Sequence, residues 1–68
     1  MAVWQKVYED QALYRAEIVK SVLEDRGLSP VIVNKKDSSI QFGHYEVQVA
    51  PDDVLQSIKI IKEEISFG

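Results

Sequence analysis

Pro30-Val31-Ile32-Val33 and Tyr45-Glu46-Val47-Gln48-Val49 are two β-forming runs joined by Asn34-Lys35-Lys36-Asp37-Ser38-Ser39-Ile40-Gln41-Phe42-Gly43. Branched and aromatic side chains suit a pleated, half-buried surface. A polar link of this length makes the two runs neighbours in an antiparallel hairpin. Pro30 sits where a strand opens and a missing N–H is tolerated. The strand over 44–50 alternates, with Tyr45, Val47 and Val49 on the inward side and His44, Glu46 and Gln48 on the outward side.

On the N-terminal side of the hairpin lies a helical pattern over 11–26. Ala12, Ala16, Val19 and Leu23 recur at helical spacing, flanked by Ile18 and Val22. Asp10 is the expected N-cap, and Gly27 the residue that closes the helix with positive φ. Arg15 falls on the apolar side, where it either extends past the core or pairs with an acid of the sheet. Residues 3–9 read as a first strand, with Val3, Gln5 and Val7 on one face and Trp4, Lys6 and Tyr8 on the other. After the hairpin, Ala50-Pro51-Asp52-Asp53 starts a second helix over 51–65, since proline fits its first position and both carboxylates oppose its positive dipole end. Val54, Ile58, Ile61 and Ile65 make its expected core stripe, and Ile60 points away.

The order β-α-β-β-α predicts one α+β domain over 1–68. Both apolar helix stripes are buried if the helices share one face of a three-stranded antiparallel sheet. A right-handed crossover leaves a gap between the first two strands, which the third fills. The expectation is a two-layer sandwich with strand order 1-3-2, ferredoxin-like but lacking the last strand. The first strand is then an edge, and one sheet face is bare.

Sixty-eight residues with 46% hydrophobic content support one small core. A chain of this size buries only about 60% of its unfolded surface and commonly needs a further source of stability. There is no cysteine and His44 is the single histidine, so disulfides, thiolate sites and multi-histidine sites are excluded. No metal or cofactor is expected, and self-association, as in a homodimer, is the remaining stabiliser. Net charge is −3, with Lys35-Lys36 the one adjacent basic pair, so nucleic acid is not an expected partner. No apolar run is long enough to span a membrane. The N-terminus lacks a secretion signal, and the cytoplasm is the expected compartment.

Lys6-Val7-Tyr8, the helix segment 16–24, Gly27-Leu28, Asn34-Lys35-Lys36-Asp37-Ser38-Ser39, residues 43–49 and residues 54–61 occur here in sequence. In that order they resemble a small bacterial domain family of unknown function labelled as a prokaryotic signal-transducing protein. The resemblance spans nearly the whole chain. It implies a βαββα fold distantly similar to nitrogen-regulatory PII-type domains, and a role in signal transduction, without catalytic residues.

Three surfaces carry functional expectations. Asn34, Lys35, Lys36, Asp37, Ser38 and Ser39 combine ammonium, amide and hydroxyl donors suited to an anion, although a solvated hairpin loop is the plainer account of them. Trp4, Lys6, Tyr8, His44, Glu46 and Gln48 are expected on the bare sheet face, where aromatics beside polar groups suit a protein contact. The alternative is that Trp4 and Tyr8 cover the sheet of their own chain. Leu13, Tyr14 and Ile60 are apolar residues off the core stripes that could together meet a partner. No nucleophile, base and acid form a catalytic set around His44, so no enzyme is expected. A non-enzymatic regulatory or protein-interaction module is the first expectation. A small-ligand sensor for an anion, nucleotide or amino acid is the second.

Overall fold

The computed structural model describes residues 3–36 and 43–65. It contains strand β1 (Gln5–Asp10), helix α1 (Leu13–Asp25), strand β2 (Val31–Lys36), strand β3 (Gly43–Val49), a 3₁₀ turn (Pro51–Asp53) and helix α2 (Val54–Glu64). The sheet order is β1-β3-β2, with both outer strands antiparallel to β3. This is the expected α+β layout. The envelope measures 36 × 35 × 14 Å. A helix is about 10 Å across with its side chains, so the thin dimension holds one sheet and one helix layer.

The core joins Ala16, Val19 and Leu23 of α1, Val47 and Val49 of β3 and Ile60 of α2. Both helices therefore cover the face of β3 that carries Val47 and Val49. Ile32 is opposite Val47 and packs on the same core. Pro30, just before β2, is buried.

Three details depart from the sequence reading. The first concerns β1. Lys6 is opposite Gln48, yet Tyr8 rather than Val7 is opposite Val47. Val7 is the extra residue of a β-bulge, which sets two residues against one on the partner strand and resets the alternation of faces. Val7 and Tyr8 both pack against the core, which consecutive residues of an unbroken strand cannot do. Tyr8 therefore lies on the helix side and not on the bare face.

The second concerns the start of α1. Ala12 is the N-cap, its carbonyl accepting from the N–H of Arg15 at 3.2 Å and of Ala16 at 3.3 Å. Asp10 sits two residues too early to cap the helix. Its Oδ1 accepts from the Ala12 N–H at 2.9 Å, fixing the bend between strand and helix. The other end matches expectation. Gly27 has φ +87°, its N–H donates to the Glu24 carbonyl, and the Leu28 N–H donates to Leu23, a Schellman closure.

The third concerns α2. Ile60 is buried, while Ile58 is 40% exposed. The buried side of α2 runs through Ser57 and Ile60, with Val54, Ile61 and Ile65 beside it. Apolar residues at 54, 55, 58, 60 and 61 leave two neighbouring stripes available. Ser57 can occupy the buried one because its hydroxyl donates to the Asp53 carbonyl at 2.7 Å. Ile60 is thus unavailable to a partner, while Leu13 and Tyr14 are exposed.

Candidate functional site

The sheet face away from the helices carries an ordered polar row. β3 has no bulge, so His44, Glu46 and Gln48 fall on this face as alternation requires. The bulge in β1 delivers Lys6 opposite Gln48 and Glu9 opposite Glu46. β2 adds Val31 opposite Gln48, Val33 opposite Glu46 and Lys35 opposite His44. Trp4, one residue before β1, is 47% exposed.

Glu9 and Glu46 are like charges in directly opposed positions, which is destabilising unless donors share the charge. Three side chains do so. Lys6 Nζ lies 3.3 Å from Glu9 Oε1. Gln48 Nε2 donates to Glu46 Oε1 at 3.0 Å. His44 Nε2 lies between the two remaining oxygens, 3.0 Å from Glu46 Oε2 and 3.3 Å from Glu9 Oε2. Hydrogen bonding to His44, and then to Gln48, holds the Glu46 carboxyl below the usual carboxylate range.

A second feature lies on the helix side, at the hairpin end of the sheet. Gln11, Asn34, Lys36, Gly43 and Tyr45 line an open hollow of about 230 Å³. Lys36 pairs with Gly43 and Asn34 with Tyr45, so the ladder itself places them. A Cβ on Gly43 would meet the Lys35 carbonyl at 3.2 Å, closer than most side chains tolerate. Asp10 of β1 lies opposite Tyr45 in the ladder. Its carboxylate accepts from the Tyr8 hydroxyl at 2.6 Å and lies 3.6 Å from Arg15 Nη1, so Arg15 does pair with an acid of the sheet. The Tyr8 hydrogen bond, then that from Ala12, holds the Asp10 carboxyl below its ordinary range. Burial, reinforced by Asp10, pushes the Tyr8 phenol up to about 12.

The sequence-derived residues are thus divided between two faces. Lys6, His44, Glu46 and Gln48 come together on the outer face, while Tyr8 joins the core and the exposed Trp4 precedes the paired residues of β1. Asn34 and Lys36 line the hollow, and Lys35 projects to the opposite face. All three belong to β2 and not to a loop, and Asp37, Ser38 and Ser39 lie outside the described residues. Sequence reasoning missed Glu9, Gln11 and Tyr45 as site residues. Plain alternation puts Glu9 on the same side as Val7, and only the bulge brings it opposite Glu46.

Comparison of the chain with protein-family models, with curated proteins and with solved structures returns no match. No helix among the described residues is long and apolar enough to cross a membrane.

Proposed function

We propose that this chain is a non-enzymatic regulatory module of bacterial signal transduction, acting in the cytoplasm by protein contact, first with a second copy of itself. The observation that carries the reading is the outer sheet face. Both helices pack on the other side, and no element among the described residues covers this one. Its charges balance, with Lys6 and Lys35 set against Glu9 and Glu46. A neutral face can meet its own copy without the repulsion that a net charge of −3 imposes elsewhere. Val31 and Val33 supply apolar surface around the polar row, exposed Trp4 lies just before β1, and β1 is an edge strand of the described sheet.

Sedimentation across the micromolar range, with a metal chelator present, tests the contact. A concentration-dependent dimer is expected, with Trp4 emission changing in step. Lys6→Glu unbalances the face and weakens the dimer. A monomer at every concentration with constant Trp4 emission overturns self-association.

The hollow at the hairpin end favours a second reading, a small-ligand sensor. One ammonium, two amides and a phenol hydroxyl suit a small carboxylate or phosphate. The volume of about 230 Å³ is below the roughly 300–1,000 Å³ of drug-sized sites. A thermal-shift panel of phosphates, nucleotides and amino acids tests it. A shift lost in Lys36→Ala supports it, and silence across the panel removes it.

A further inference from the structure

We infer that Glu9, His44 and Glu46 form a binding site for one divalent transition-metal ion of the zinc type on the open sheet face. This goes beyond the contact role, uses residues of one chain only, and is tested at concentrations where the chain is monomeric, because the proposed dimer covers the same face.

The donor atoms of these three residues lie within 4.8 Å of one another. A tetrahedral ion with ligands at about 2.0–2.1 Å has donors about 3.3–3.4 Å apart along each edge. His44 Nε2 is 3.0 Å from Glu46 Oε2 and 3.3 Å from Glu9 Oε2. Two edges of such a tetrahedron are therefore nearly in place without backbone movement.

The outer oxygens are also committed in the manner of a metal site. Lys6 occupies Glu9 Oε1, and Gln48 occupies Glu46 Oε1. Each carboxylate is thereby turned so that its Oε2 faces His44. Groups that hold the far side of a ligand fix its orientation and sustain its affinity for metal.

Charge points the same way. Two glutamates opposed across β1 and β3 put two carboxylates beside Nε2, with Lys6 and Lys35 balancing them across the wider face. A divalent cation replaces the Nε2 proton, which passes to Nδ1 or to solvent, and the two carboxylates neutralise the ion. Glu9 and His44 are partly exposed, so an ion has a path in and a fourth position stays open to water. One imidazole and two carboxylates form a borderline set that suits zinc, with nickel and copper competing.

Calorimetric titration of the full chain with zinc chloride tests the site, and cobalt supplies a spectroscopic reading of geometry. One saturable zinc per chain is expected, and cobalt should show the intense visible bands of four-coordination. His44→Ala and Glu9→Gln should abolish saturable binding, with far-ultraviolet circular dichroism confirming that each variant is folded. Gln48→Ala should weaken binding about tenfold. Asp52→Asn, on the 3₁₀ turn after β3 and outside the cluster, should change nothing. No saturable binding at millimolar zinc, or binding that survives both His44→Ala and Glu9→Gln, overturns the site. So does the weak spectrum of six-coordinate cobalt.

Discussion

Val47 and Gln48 are neighbours in β3, yet they belong to different environments. Val47 has no exposed surface and belongs to the core that apolar residues of both helices share. Gln48 lies in a polar row that no helix covers, hydrogen-bonded to Glu46. The inner face is where the chain obtains its stability. The outer face holds opposed glutamates and an imidazole that a stability argument alone would not place together. That contrast is why functional weight rests on the outer face.

The largest expected effect lies on the inner face. Val47→Ala removes two buried methyl groups and leaves a cavity, costing about 2–3 kcal/mol by urea denaturation. For a domain this small that is a large fraction of its stability. A cost near zero would mean that the two faces are not energetically distinct.

Deleting Val7 sharpens the comparison at the bulge. Without it, Lys6 opposite Gln48 is followed directly by Tyr8 opposite Val47, a regular alternation. The fold should survive, with a loss of about 1–2 kcal/mol for the partly buried side chain. Nuclear Overhauser contacts between the Tyr8 ring and the Val47 methyls should persist. Deleting Glu9 instead displaces Asp10 from its place and should be worse tolerated. Equal cost for the two deletions would remove the bulge as the reason Tyr8 faces the helices.

This bulge also marks the limit of what the sequence disclosed. The element order, the strand order 1-3-2 and the Gly27 closure were legible because α1 and β3 keep unbroken periods. The hairpin's outward row of His44, Glu46 and Gln48 was legible for the same reason. Nothing in Gln5-Lys6-Val7-Tyr8 marks an inserted residue, since a valine fits a bulge and a regular strand equally. One unmarked residue therefore misplaced Tyr8 and concealed Glu9. In α2, apolar residues on more than one side left the stripe undecided between Ile58 and Ile60. The hollow depends on Tyr45 and Gln11 meeting across the sheet end, a juxtaposition made by tertiary structure.

Tyr8→Phe gives a smaller effect with a pH signature. Removing the hydroxyl breaks its 2.6 Å hydrogen bond to Asp10 and should cost about 1 kcal/mol near neutrality. The folded phenol holds its proton up to about 12, against 10.0 in the unfolded chain. A group with a raised folded pKa stabilises fully below the unfolded value and loses that contribution as pH rises. The wild type should therefore lose stability between pH 10 and about 12, and the phenylalanine variant should show a flatter slope there. An unchanged slope in urea midpoints across this window would separate Tyr8 from the inner face.

The smallest effect is expected on the outer face. Gln48→Ala removes a partly exposed hydrogen bond and no core contact, so stability should change by no more than about 0.5 kcal/mol. The adjacent Val47→Ala serves as its internal reference in the same strand and the same assay. A loss approaching that of Val47→Ala would show that the polar row is structural, held for stability through Glu46. Near-neutrality, together with weakened zinc binding in the same variant, separates the two roles, because a residue that only props the sheet has no reason to alter metal affinity while leaving the fold intact.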